Sequence, residues 1–447
     1  MKKTARSLLA LGGAATLLAL AACSGGAGGD DSDTAAIQWW TWDDKQAVSW
    51  GKCVAPFEKE NPGITVKVSQ YAWDDYWTKL TAGFVAGNAP DTFMDHTSNY
   101  PEFVAQGQLL PLDDLIAAAD YDIDQIGVGV DTWKHSDGKT YGLPKDWATV
   151  GFFYNRAVLA DAGLSEEDVQ TMTWNPDDGG TFDDVVARLT VDKNGVRGDE
   201  SGFDKENVAV YGVNSLGSNG INGQDTWASF AATTGWTLGD EDNWPTTFDY
   251  ADERFVETAT YLRGLAERGL SPEEGEFTLG QTEQLGSGSM AMVAAGSWYA
   301  TTFFAIDGLD VGIAPSVIGE KGDRAGLSNS NADSIWAGSK HPDAAFKWIS
   351  YMESPACQDI AGLDGTFFPS IDESMQKTQA ALLQQGIDIT PYTDQFTAGT
   401  LFETPVFEGG QEMGSAISPL MEAYFTGQRD DDVFAEMDGI SEGILSE

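Results

Sequence analysis

The chain has 447 residues, of which 42% are hydrophobic and 51 are glycine; it is long enough to bury the cores of two or three domains and too apolar to be disordered. With 25 Lys and Arg against 70 Asp and Glu, its formal charge of -45 repels nucleic acid, nucleotides and anionic membranes, so the ligand is expected to be neutral or cationic. Three histidines (His96, His135, His341) and three cysteines, with no C-x-x-C or H-E-x-x-H spacing, argue against the usual zinc sites, and neither metal nor cofactor is expected.

The chain begins with basic Lys2, Lys3 and Arg6, an uncharged run over 7–22, and then Cys23. This order predicts a secretory signal peptide over 1–22, and the run is shorter than the roughly 20 apolar residues that a membrane span needs. Leu20-Ala21-Ala22-Cys23 resembles a bacterial lipobox, which implies that Cys23 receives a diacylglycerol and becomes the new N-terminus. Residues 23–36 are rich in Gly, Ser and Asp without apolar periodicity, and predict a flexible tether with a reach of about 20 Å. The body is therefore expected outside the cytoplasm, anchored to the bacterial cell membrane by lipid.

Residues 37–42 predict a strand, followed by an amphipathic helix with Trp50, Val54 and Phe57 on one stripe and a stop at Asn61-Pro62-Gly63. A second alternating strand over 64–68 completes a βαβ unit and implies a parallel sheet. A helix over 74–86 leads through Ala89-Pro90-Asp91 into a short strand over 92–94. Further on, the pattern predicts helices over 182–189, 251–268 and 342–352, strands over 208–213, 310–314 and 333–337, and a mostly helical tail over 412–445. The fold class is α/β, in two lobes.

Gly138-Lys-Thr-Tyr-Gly-Leu-Pro-Lys-Asp146, Gly151-Phe-Phe-Tyr-Asn155-Arg and Ala162-Gly163-Leu resemble segments of the extracellular solute-binding proteins (family 1) of carbohydrate ABC importers. Ala86-Gly-Asn-Ala-Pro90-Asp91, Gly107-Gln-Leu-Leu-Pro111-Leu-Asp113, Gly288-Ser-Met290-Ala-Met292 with Gly296-Ser-Trp298, and Ser339-Lys-His-Pro342 with Ala344-Ala-Phe-Lys-Trp348 match in the same order. The resemblance implies a two-lobed periplasmic-binding-protein fold with a hinge, an interlobe ligand cleft and three chain crossings, placed near Pro144, Ser328 and Met375. The lobes would then be 37–143 with 329–375, and 144–328 with 376–447.

A sugar presents an apolar C–H face and a belt of hydroxyls, so its site needs aromatic planes beside Asp, Asn or Lys. Ligands of open α/β sheets bind off the carboxyl ends of strands, which singles out Trp42 and Asp44 after the first strand, Trp73 after the second and Asp95 after the third. For Trp42 and Asp44 the competing reading is helix N-capping by Asp43 or Asp44, and for Trp73 it is packing on the following helix. His96 reads as a structural histidine. Asp146 and Trp147 lie at the first crossing, Trp298 is the position that stacks on sugar in similar proteins, and Asn219, with Asn222 and Trp227, is a candidate contact from the second lobe.

Asp192-Lys-Asn194-Gly-Val196-Arg197 departs from a calcium loop at Val196 and Arg197, and a turn at Asn194-Gly195 is the better reading. Cys53 and Cys357 could bond in an exported protein, yet Cys53 adjoins an apolar helix stripe, and a buried free thiol is the favoured reading. Together these features describe the substrate-binding lipoprotein of an ABC importer: a monomer that is not an enzyme, that captures a neutral oligosaccharide and that delivers it to permease subunits. The alternatives are a lipid-anchored glycoside hydrolase, which would need a pair of carboxylates across one bond, or the same fold binding a polyamine.

Overall fold

A computed structural model describes residues 34–277 and 279–446. The expected signal peptide, Cys23 and most of the expected tether lie outside these residues. In chain order the strands are β1 (Ala35–Thr41), β2 (Ile64–Gln70), β3 (Thr92–Asp95), β4 (Leu143–Pro144), β5 (Asp146–Asn155), β6 (Val191–Asp192) and β7 (Val208–Val213). They continue with β8 (Met290–Gly296), β9 (Val311–Ala314), β10 (Gly326–Asn329), β11 (Ala332–Ile335), β12 (Phe368–Pro369) and β13 (Leu401–Glu403).

The first lobe is built on a five-stranded sheet in the order β2-β1-β3-β11-β4, in which β1 runs parallel to both β2 and β3. Alternation along β1 turns Ile37 and Trp39 into a core that also holds Trp50, Phe57 and Trp348. The second lobe holds an eight-stranded sheet around β5, which pairs with β8, β9, β10 and β12. β5 is a ten-residue run that is nearly all buried, as expected for a strand covered on both faces. Helices Gly180–Leu189, Glu253–Glu267 and Gly410–Phe425 pack Val186, Leu262 and Ile417 into its larger core.

The chain passes between the sheets from β4 to β5 around Lys145, and from β10 to β11 through Ser330-Asn331. A third passage follows Phe367, which sits in the first core, because Phe368 and then Met375 and Leu382 of helix Asp372–Gln384 pack in the second.

The single helix expected through Trp50, Val54 and Phe57 is two helices, Asp44–Gly51 and Val54–Glu60. Pro56 has no N–H to give the Lys52 carbonyl, so the ladder cannot run through. Cys53, in the break, is disulfide-bonded to Cys357 of helix Pro355–Ala361, with Cα atoms 5.4 Å apart and both residues fully buried. This corrects the free-thiol reading; the partner is 304 residues away in sequence, and only the fold brings it to the helix stripe. The 192–197 segment is a turn. Asp192 Oδ1 accepts the N–H groups of Asn194 and Val196 at 2.8 and 2.9 Å, and Gly195 has φ +84°.

The disulfide closes a long loop, so reducing it, or substituting Cys53→Ser, should cost about 2–5 kcal/mol of stability. Urea unfolding with and without reductant measures this; coincident curves would show that the bond contributes nothing.

Candidate ligand cleft

β1, β2 and β3 are parallel neighbours, so their carboxyl ends open on one edge of the sheet. Trp42 follows β1, Trp73 begins the helix after β2, and His96 follows β3. Their rings meet there: Trp42 is 5.1 Å edge-on from Trp73 and 6.2 Å from His96, and Trp73 is 5.5 Å from His96. Trp77 and the buried Tyr76 support Trp42 from behind at 5.4 and 5.3 Å. Trp73 remains 44% exposed, which leaves it a face to offer. Burial lowers the His96 imidazole to about 4, so near neutral pH it is an uncharged part of this wall.

Asp43, not Asp44, caps the following helix, accepting the Gln46 N–H at 2.7 Å. Asp44 is left exposed at the cleft rim. Burial raises the Asp43 carboxyl above the usual range.

The opposite wall comes from the second lobe. β8 ends at Gly296, where a Cβ would run into the Trp298 ring, so the glycine gives the half-buried indole its place above the strand end. Ser297 Oγ accepts the Thr149 N–H of β5 at 3.3 Å, tying this turn to the central strand. Lys45 of the first lobe donates to Thr302 Oγ1 of the second, bridging the two walls. The enclosed space is about 400 Å³.

The floor is formed by the two crossings nearest the cleft. Asp146 Oδ1 accepts the backbone and side-chain N–H of Asn331 at 3.1 and 2.9 Å. Asp146 Oδ2, Asn329 Oδ1 and Asn331 Oδ1 are buried and find no hydrogen-bond partner among the described residues. Burial lifts the Asp146 carboxyl to about 6, against the pull of Lys145 and the Asn331 bonds. Such a floor can accept hydrogen bonds from a ligand's hydroxyl or ammonium groups.

Trp42, Asp44, Trp73, Asp146, Trp147 and Trp298 thus line one cleft. Trp147 reaches it edgewise: it is 1% exposed and stacked at 4.8 Å on Phe396, so its ring belongs mainly to the second core. The structure does not bring Asp95 or Asn219 to the cleft. Asp95 is fully buried, with its side chain bonded to the His96 N–H, because the last residue of β3 points into the sheet rather than off its end. Asn219 pairs locally with Ile221. Sequence reasoning missed Gln224, Tyr299, Asn329 and Asn331; the Asn329-Ser-Asn331 spacing between two strands was the available signal for the last two.

A sequence profile of the bacterial extracellular solute-binding protein family matches residues 52–385, most of the chain. The chain belongs to this family. It is therefore an extracytoplasmic solute-binding protein rather than an enzyme, which removes the hydrolase alternative. A putative binding protein of Brucella abortus is 36% identical over 112 residues, 24% of this chain and 26% of its own length. A lactose-binding protein of Rhizobium radiobacter is 30% identical over 140 residues, 30% of this chain and 32% of its own. The chain thus aligns with about a quarter to a third of the length of these curated relatives. In structure it is similar to an ABC substrate-binding protein of Listeria monocytogenes solved with cycloalternan, with TM-score 0.77 and 20% identity over 93% of this chain and all of that one.

Behind the cleft of this solute-binding protein lies a cluster of buried ionisable groups. Lys145 and Asp333 are fully buried 3.5 Å apart, and Glu353 and Asp95 are fully buried nearby. Burial raises all three carboxyls, Asp95 to about 8, although the His96 N–H acts against it there. Asp95 therefore holds its proton more tightly folded than unfolded, and its contribution to stability is lost as pH rises through about 8. His96, depressed by burial, acts in the opposite sense only below its ordinary 6.5. The urea midpoint should fall between about pH 6.5 and 8, and Asp95→Asn should make that decline shallower; a wild-type midpoint that rises over this interval would contradict the assignment.

Proposed function

We propose that this solute-binding protein captures a neutral oligosaccharide between Trp42 and Trp298 and delivers it to the permease of an ABC importer. One observation carries the reading: aromatic rings from two lobes face a floor of unpartnered acceptor oxygens on Asp146, Asn329 and Asn331. A pyranose fits that chemistry, with its C–H faces removed from water by indoles and its hydroxyls donating to the floor. An anionic sugar does not, because Asp43, Asp44 and Asp146 line the same space and its one lysine, Lys45, is engaged with Thr302. The lactose-binding relative and the cycloalternan complex support a carbohydrate.

In this reading the lobes close on the sugar by a hinge at the passages; the third passage follows Phe367, earlier than the crossing expected near Met375, so the first lobe takes 37–144 with 330–367 and the second 146–329 with 368–446. The protein acts as a monomer and hangs from the membrane by a lipid on Cys23.

Truncating a stacking tryptophan costs about 2 kcal/mol or more, and 1.4 kcal/mol is tenfold. Trp298→Ala should weaken calorimetrically measured sugar binding by roughly 30-fold with a nearly unchanged unfolding midpoint in the absence of ligand; Trp42→Ala should weaken binding as much but also lower that midpoint, because its ring packs on Tyr76 and Trp77. No binding across a neutral-glycan array would refute the carbohydrate, and tight spermidine binding in its place would move the ligand to the polyamines. Independently, Cys23→Ser should release the protein from the membrane fraction; if the variant stays bound while the wild type carries no acyl mass, the anchor is wrong.

A further inference from the structure

The waist between the lobes holds more acid than base. Asp95, Asp146, Asp333 and Glu353 are each at most 2% exposed, and Lys145, fully buried, is the ammonium placed among them. Lys145 Nζ lies 3.5 Å from Asp333 Oδ1 and can balance that one carboxylate. Asp95 adjoins Asp333 across the pairing of β3 with β11. Glu353 and Lys145 share Gln358, whose Nε2 donates to Glu353 Oε2 and to Lys145 O, both at 2.9 Å. Four buried carboxyl groups around one ammonium do not all ionise, because an unpaired charge taken out of water is too costly. The waist therefore stores protons.

Of these four acids, Asp146 is the one that lines the cleft. Its Oδ1 is taken by the two Asn331 N–H groups at 3.1 and 2.9 Å, and its Oδ2 is buried with no hydrogen-bond partner among the described residues. A proton on this carboxyl therefore belongs on Oδ2, the same oxygen that is free to accept a ligand hydroxyl. Burial lifts Asp146 to about 6, with Asp333 adding to the rise and Lys145 and the Asn331 bonds opposing it. Burial also carries Asp95 to about 8 and raises Glu353 well above its ordinary value, so those two keep their protons through neutrality.

The other ionisable groups that face this space come from every side of it. Asp43, Asp44 and Lys45 stand on the first-lobe wall, where Lys45 is committed to Thr302. His96, off the end of β3, is depressed by burial to about 4 and is uncharged above pH 5. Tyr299, on the second-lobe wall, is raised by burial and stays protonated. β12 pairs with Asp146 at Pro369 and brings no charge. Asp43 is the one rival for a proton in the cleft, because burial raises it too, although it is held by the Gln46 N–H at 2.7 Å.

We infer that sugar capture is coupled to the proton on Asp146: a ligand hydroxyl that donates to Oδ2 takes the place of that proton, so binding releases it to solvent and weakens in acid. This rests on the carbohydrate reading above. The Oδ2–H bond breaks, the proton passes to buffer, and no covalent bond to the sugar forms. The hydroxyl gains a charge-assisted hydrogen bond, roughly twice as strong as one between neutral groups, and that difference favours the ionised carboxyl in the complex. With Lys145 beside it, the new carboxylate at the floor stays near a cation while its neighbours Asp95 and Glu353 remain neutral.

Calorimetry on the full chain with lactose, maltotriose, mannotriose and arabinotriose between pH 8 and pH 5 tests this. For whichever sugar binds, affinity should be level above pH 7 and fall about tenfold from pH 7 to pH 5. At pH 5.5 the binding heats in phosphate and imidazole should differ by the release of more than about half a proton per sugar. Asp146→Asn should bind more weakly at pH 7, show no dependence on pH and give equal heats in the two buffers. Asp43→Asn, which caps its helix as well as aspartate does, should keep the wild-type profile. If Asp146→Asn does not fold, Asn331→Ala decides: losing a bond that lowers Asp146 should move the fall in affinity to higher pH. Level affinity with equal buffer heats in the wild type, or a pH dependence abolished by Asp43→Asn, overturns the coupling to Asp146 and leaves the carbohydrate reading standing. Binding by none of the four sugars at any pH overturns both.

Discussion

Lys145 and Asp333 are fully buried against each other at the waist of the molecule, and the three passages between the lobes are organised around them. Asp333 Oδ1 also accepts the Trp39 indole N–H at 2.6 Å, and the ammonium lies 4.7 and 5.2 Å from the Trp39 and Trp50 rings. Removing one partner of such a pair leaves an uncompensated buried charge, at a cost of about 3–5 kcal/mol. The passages are joined to each other by short polar links. The Lys145 N–H donates to Asn331 O at 2.9 Å, Gln358 Nε2 donates to Lys145 O at 2.9 Å, and Ser370 Oγ donates to Pro144 O at 3.2 Å. Apolar packing is concentrated in cores on either side of this waist.

The same waist supplies the cleft floor. Asp146 adjoins Lys145, and Asn331 is held by Asp146, so the groups that fix the passages also present their remaining oxygens upward. The cleft floor and the lobe passages are thereby linked through one set of side chains. The walls obey a different constraint: parallel pairing of β1 with β2 and β3 gathers three strand ends, and with them Trp42, Trp73 and His96, onto one edge. The overall charge of -45 and the cleft carboxylates Asp43, Asp44 and Asp146 have the same sign, so both make the cleft electrostatically unfavourable to an anion.

Local pattern was enough to read β1, β2, the helix Trp73–Ala86, β7 and the helix Pro342–Met352, because periodicity and stop residues are short-range signals. It also placed Trp42 and Trp73 at strand ends, and the family resemblance singled out Trp298; all three line the cleft. The same rule failed for Asp95, since a strand's last residue can point inward or outward depending on register with β11, and that register is not local. The break at Lys52-Cys53 was visible in Pro56, but its significance depended on Cys357.

Sequence by itself determined the α/β class, the strongly acidic surface, the family resemblance and the aromatic residues that follow the strands, all of which depend on composition or on neighbours a few residues apart. Tertiary structure decided the Cys53–Cys357 bond, the inward turn of Asp95, the edgewise burial of Trp147 and the meeting of Asn329 and Asn331 with Asp146. Each of these brings together residues far apart in the chain, and their contact is fixed only when the lobes pack and the three passages close around Lys145.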